Sequence, residues 1–209
     1  MYHESINNFS NLAFDKVKAL KRNPGGFFVG SMMAGAYVGF GIILIFILGS
    51  EADPQSRKLI MGACFGIALT LVVFAGAELF TGHNMYMPLA LFKKKITGRD
   101  LVIVWVMVWI GNLVGSGFVG GLFVLGGASG IVDVNDSFVN HVAGNKMNAS
   151  VIELLARSML CNWLVCLALW MSDRTNNDAA KCIVIFWCLL AFIASGFEHS
   201  VANMTLFTI

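Results

Sequence analysis

Ala194-Ser195-Gly196-Phe197-Glu198-His199-Ser200-Val201-Ala202-Asn203-Met204 sits inside an otherwise apolar segment, with Leu189 to Phe192 before it and Leu206 to Ile209 after it. An acid, an imidazole and an amide are expensive there if the segment lies in a bilayer, since a charge at the bilayer centre costs roughly 3 kcal/mol on translocon scales. Residues of this kind face a bundle interior or a polar pathway, never lipid. The stretch therefore reads as a break in a membrane-spanning helix that lines such a pathway.

The rest of the chain supports a membrane setting. Only 12% of its 209 residues are charged and 57% are hydrophobic, whereas soluble domains carry about 25% charged residues. Mean hydropathy is +0.76. A net charge of +2 is too small to indicate a nucleic-acid partner. The five cysteines fall in apolar segments and form no Cys-x-x-Cys. They read as small buried hydrophobes, and no metal or other cofactor is indicated.

Hydropathy divides the chain into an amphipathic stretch over residues 1–22 and a spanning region over 23–209. Span 1 lies between Arg22 and Glu51 and is rich in small residues, including Gly30, Ala34, Gly35, Ala36, Gly39 and Gly41, which let helices approach closely. Span 2 is interrupted: Leu59 to Ala77, then Glu78, then Leu79 to Phe92. Span 3 is expected from Leu101 to Val132, followed by a polar loop with Asp133, Asp136, His141 and Lys146. Span 4 runs from about Ala149 to Ser172 and carries Asn162 inside, and span 5 starts near Cys182 and enters the opening stretch.

Spans 2 and 5 share one defect. Gly76-Ala77-Glu78 followed by Asn84-Met85 parallels Gly196-Phe197-Glu198 followed by Asn203-Met204. Paired broken spans suggest an inverted repeat with a site between the breaks. On that reading spans 1 to 3 repeat as 4 to 6, and the expectation is that this chain covers five spans and lacks the sixth. Basic residues cluster before span 1, between spans 2 and 3, and at Arg174 and Lys181, which predicts a cytoplasmic N-terminus. Residues 1–22 suit a helix on the membrane surface, with Lys16, Lys18, Lys21 and Arg22 toward headgroups. A helix packing on its own protein fits the pattern equally.

Gly76-Ala77-Glu78-Leu79-Phe80-Thr81-Gly82-His83, Gly111-Asn112-Leu113-Val114-Gly115, Cys161-Asn162-Trp163-Leu164-Val165-Cys166-Leu167-Ala168 and the opening stretch together resemble the formate/nitrite transporter family. Within that family the nitrite branch is the nearest match, through Leu79-Phe80-Thr81-Gly82-His83 and Asn162-Trp163. The resemblance implies an all-α, polytopic, aquaporin-like bundle of six spans with broken helices 2 and 5. It further implies a homopentamer in the bacterial cytoplasmic (inner) membrane and a channel for small monovalent anions, nitrite first.

It also implies roles. His199 and Thr81 match the family's central pair, which would meet the anion, and a proton passed from the imidazole could let it cross apolar constrictions as a neutral acid. Asn162 resembles a pore asparagine, with interhelical hydrogen bonding an equal reading. Lys146 matches a vestibule lysine that draws anions in. Phe65, Leu69, Phe80 and Phe192 match positions that narrow the pore on either side of the histidine, where hydrophobic constrictions exclude water and charge. Glu78 and Glu198 read as architectural, accepting from backbone N–H groups freed by the breaks, and Asn203 belongs with them. His83 and His141 are expected at exposed loop positions.

Formate or hydrosulfide is the alternative substrate, and an aquaporin-like neutral-solute channel the alternative class. An enzyme is disfavoured. No His-Glu-x-x-His or Gly-x-Ser-x-Gly occurs, and the adjacent Glu198 and His199 would point to different faces of a helix.

Overall fold

The computed structural model describes residues 2–132 and 137–209, the side chain of Ser129 excepted. Its helices are α1 (Tyr2–Arg22), α2 (Pro24–Glu51), α3 (Arg57–Ala75), α4 (Phe80–Phe92), α5 (Gly98–Leu125), α6 (Phe138–Met147), α7 (Val151–Asp173), α8 (Asp178–Ala194) and α9 (Ser200–Leu206). No strand occurs among the described residues. Among the described residues, four helices, α2, α3, α5 and α7, are long and apolar enough to cross a membrane.

Local chemistry sets most boundaries. Asn23 caps α2 by accepting from the Gly26 N–H, with Pro24 in the first turn. Thr97 with Asp100, and Ser150 with Glu153, form capping boxes that open α5 and α7. Span 3 ends earlier than its hydropathy predicts. α5 stops at Leu125 because Gly126 and Gly127 follow, the latter at φ 91°, a left-handed conformation that glycine adopts at little cost. Part of the loop expected next is helical, as α6, which carries Lys146 in its last turn. Asp133 and Asp136 lie outside the described residues.

The bundle is held by close helix contact at glycines. A Cβ added to Gly115 would sit 1.8 Å from the Met32 carbonyl oxygen, and one on Gly35 would sit 2.1 Å from that of Asn112. The backbones of α2 and α5 therefore touch directly. α3 and α8 lie side by side in opposite directions, Gly62 against Leu190 and Gly66 against Phe186. Val38 and Ile42 of α2, Phe65 and Leu69 of α3, Val165 of α7 and Leu189 and Phe192 of α8 are buried in one core.

α1 packs on its own protein. Phe9, Ala13, Val17 and Leu20 are buried against Tyr86, Met87 and Ala90 of α4 and Leu101 of α5. The expectation that Lys16 faces headgroups is wrong, because its Nζ turns inward to Glu78 Oε1 at 2.5 Å. Lys21 pairs with Asp100 at 2.7 Å, Lys95 donates to Asn11, and Asn8 reaches Asp173 at 3.4 Å. α1, the start of α5 and the end of α7 thus share one end of the bundle. Lys16→Met is expected to weaken α1 docking by about 1–3 kcal/mol, the cost of stranding a buried charge partner. The readout is faster tryptic cleavage after Lys18 and Lys21, and an unchanged rate would mean that the apolar face alone seats the helix.

Candidate functional site

The two breaks are built alike. α3 ends at Gly76, φ 75°, and α8 runs into Gly196, φ 71°. At each, the next residue closes back five positions, Ala77 N–H to Val72 O at 3.1 Å and Phe197 N–H to Phe192 O at 3.0 Å, the Schellman stop that a left-handed glycine permits. The following glutamate then donates its backbone N–H to the preceding long helix. Glu78 bonds to Gly30 O at 3.1 Å, and Glu198 to Arg157 O at 3.4 Å. Gly30 and Arg157 are each the seventh residue of their helix, α2 and α7.

The glutamate side chains do not serve the freed backbone, contrary to expectation. Glu78 is held by Lys16 and by His83 Nε2 at 3.1 Å. Glu198 accepts from Lys146 Nζ at 2.5 Å and from Asn203 Nδ2 at 2.9 Å. A carboxylate this deeply buried is tolerable only with a charge partner and hydrogen bonds, and a lysine from the helix before each half supplies it. Asn112 satisfies the first break instead. Its Nδ2 donates to Ser31 O at 2.7 Å and to Glu78 O at 2.8 Å, while its Oδ1 accepts from the Phe80 N–H at 2.9 Å.

After each break the chain turns back into the bundle, and Thr81 and His199 meet there, Oγ1 to Nε2 at 3.2 Å. His199 caps α9, its Nδ1 accepting from the Ala202 N–H at 3.1 Å. A ring nitrogen that accepts carries no proton, so the neutral ring has its hydrogen on Nε2 and donates to Thr81 Oγ1. That leaves the threonine hydroxyl proton free for another acceptor. Phe192 stacks on the His199 ring at 5.8 Å and meets Phe65 edge-on at 5.6 Å.

Three cavities converge on this histidine. One of about 550 Å³ is lined by Phe80, Thr81, Asn84, Asn162 and Trp163 among others. A second, of about 300 Å³, is lined by Arg57, Lys58, Phe138, Lys146, Phe192 and Asn203 among others. The third holds about 10 Å³ between Val38, Phe65, Leu69, Leu79, Val165, Leu189 and Phe192. His199 is the one residue common to all three.

The structure thus brings Thr81, His199, Phe65, Leu69 and Phe192 together. Asn162 borders the first cavity, and Lys146 and Asn203 the second. Phe80 stands apart from the other constriction residues, in the first cavity, with its ring edge-on to Trp105 at 6.3 Å. His83 is fully buried beneath Tyr86, not on a loop, whereas His141 is exposed on α6. Sequence reasoning missed Lys16, Asn112 and Asn84. Asn84 Nδ2 donates to Asn162 Oδ1 at 3.0 Å, and Asn162 Nδ2 in turn donates to Cys166 Sγ at 3.2 Å, fixing which way that amide faces. Cys166 is therefore more than packing. Two signals pointed to Asn84 in advance: its place opposite Asn203 in the repeated break pattern, and its position one helical turn after Thr81 on α4.

Residues 4–209 match the family model described as formate/nitrite transporter. The chain is 52% identical over all of its 209 residues to the nitrite transporter NirC of Escherichia coli (strain K12), covering 77% of that protein. It is 37% identical over 195 residues to a probable formate transporter of Methanothermobacter thermautotrophicus, covering 83% of this chain and 70% of that one. A solved structure described as an FNT family ion channel superposes with a TM-score of 0.96 at 51% identity, covering 99% of this chain and 82% of that one. A pentameric formate channel with formate bound superposes with a TM-score of 0.75 at 27% identity, covering 90% and 74%. With several long apolar helices around two breaks, it is a multi-pass membrane protein, and the chain belongs to the formate/nitrite transporter family.

Proposed function

We propose that this protein is a membrane channel for small monovalent anions, nitrite first, with His199 and Thr81 as the polar step between apolar walls. The observation that carries the reading is the convergence of all three cavities on His199 beside Thr81. The choice of nitrite leans on the 52% identity to a nitrite transporter.

An anion in the first cavity reaches Thr81 and His199 beside Phe80, and one in the second reaches His199 beside Phe192. The apolar contact of Phe65, Leu69 and Phe192 around the third cavity is unfavourable for a bare charge. At the pair the anion finds the Thr81 hydroxyl proton and, on displacing the threonine oxygen, the Nε2–H of His199. These donors replace part of its hydration shell. Passing a proton to the anion is a further step. A doubly protonated ring needs a hydrogen on Nδ1, so the bond from the Ala202 N–H must open first.

The similarity to a pentameric channel supports a homopentamer. The outward faces of α5 and α7, with Val106, Ile110 and Phe118 on one and Ile152 and Leu155 on the other, supply apolar surface for neighbours and lipid. The gathering of α1 with the basic loop at Lys93-Lys94-Lys95 supports placing the N-terminus on the cytoplasmic side of the bacterial inner membrane.

Uptake into proteoliposomes tests the reading, with nitrite, formate and hydrosulfide compared at two membrane potentials. Nitrite is expected to enter fastest, in a potential-dependent way. Nitrite entry no faster than in protein-free vesicles would overturn it, and entry indifferent to potential would favour a neutral-solute channel.

A further inference from the structure

The cavity of about 300 Å³ has Arg57, Lys58 and Lys146 in its walls and no carboxylate. Lys146 is already neutralised by Glu198. Arg57 and Lys58 are not: among the described residues neither has an acidic side chain within ion-pair distance.

Arg57 is fixed in place. Its Nη2 donates to Ala52 O at 3.1 Å. Its guanidinium carbon lies 4.3 Å from the centre of the Phe138 ring on α6, and Phe138 leans on Phe46 of α2 at 5.6 Å. Its Nε is buried without a hydrogen-bond partner. A half-buried cation whose donors are incompletely used is costly, and an arriving anion relieves that cost. Contact with the Phe138 ring and the bond to Ala52 O restrain the guanidinium, a planar group whose remaining donors match two coplanar oxygen atoms.

We propose that Arg57, backed by Phe138 and flanked by Lys58, is a capture subsite for small planar anions with two oxygen acceptors, in the cavity whose inner wall is His199 and Phe192. This rests on the anion-channel reading above and adds a second selective point to it. The subsite distinguishes among the candidate substrates. Nitrite and formate each present two oxygens to the fork, whereas hydrosulfide has a single acceptor atom and meets only the charge.

The test compares initial uptake against concentration for the unmodified protein, Arg57→Gln and Arg57→Lys in proteoliposomes. Arg57→Gln is expected to raise the half-saturating nitrite and formate concentrations about tenfold, the scale of one charge-assisted hydrogen bond. The hydrosulfide curve should shift less than about twofold, with Arg57→Lys in between for the oxyanions, as a point charge without a fork. Equal half-saturation in Arg57→Gln and the unmodified protein would overturn the subsite, and so would an equal shift for all three anions. Thermal unfolding in detergent with sodium nitrite against sodium chloride separates the two readings. If the unmodified protein carries no nitrite, the channel reading fails, yet nitrite-specific stabilisation that disappears in Arg57→Gln still supports the subsite. Absence of that stabilisation in the unmodified protein counts against it.

Discussion

His199→Ala is expected to lower nitrite flux about 10- to 100-fold, the effect of deleting a hydrogen bond worth roughly 1.5–3 kcal/mol to a charged partner. The substitution removes two things, the Nε2–H that faces Thr81 and the Nδ1 that caps α9. His199→Asn separates them, because asparagine is itself a favoured N-cap yet is too short to replace the imidazole at Thr81. If the donor matters, His199→Asn loses flux nearly as severely as His199→Ala while keeping normal thermal stability. Thr81→Val tests the other side of the pair. It keeps the shape and removes the hydroxyl, and should cost about tenfold on the same scale, whereas Thr81→Ser should retain most of the flux. Nitrite flux unchanged in both His199→Ala and Thr81→Val would remove the pair from the pathway.

The two breaks were legible because their cause is local. Only glycine adopts the left-handed conformation at Gly76 and Gly196 cheaply, and the glutamate two residues later announces itself in an apolar run. The partners of those glutamates were not legible. Lys16 lies 62 residues before Glu78 and Lys146 lies 52 before Glu198, so only packing could bring each pair together. Lys16 therefore reads as facing headgroups, and nothing in the sequence around Lys146 announces that Glu198 holds it. α1 illustrates a related limit. An apolar stripe states that a helix has something to bury, and lipid or protein satisfies it equally, so Phe9 and Val17 could not reveal that α4 covers them. His83 was misassigned because it follows a break, yet the chain turns back there and carries it into the bundle. Asn112 sat in plain view between Gly111 and Leu113, but an amide with three backbone partners on two other segments has no sequence signature.

Gly115→Ala is expected to destabilise the protein more than any other single-methyl addition to α5. The new Cβ would stand 1.8 Å from the Met32 carbonyl oxygen and 2.6 Å from its carbon. These are backbone atoms of α2, which cannot rotate aside as a side chain can. The helices must separate, at a cost of about 1–3 kcal/mol or more. Gly117 and Gly121 on the same helix provide the control, since a Cβ at either meets nothing within 4 Å. There alanine should be neutral or stabilising by up to about 1 kcal/mol, through helix propensity alone. Scanning unfolding of the detergent-solubilised protein reads the contrast as a lower midpoint for Gly115→Ala and an equal or higher one for Gly117→Ala and Gly121→Ala. Equal midpoints in all three would show that α2 and α5 are not in backbone contact. The consequence reaches the site as well, because Asn112, one turn before Gly115, ties α5 to Ser31 of α2 and to Glu78 and Phe80 at the first break. Moving α5 outward draws that amide away from the residues on either side of Leu79, immediately ahead of Thr81. Gly115→Ala should therefore lose nitrite flux even at temperatures where it remains folded, and Gly117→Ala should not.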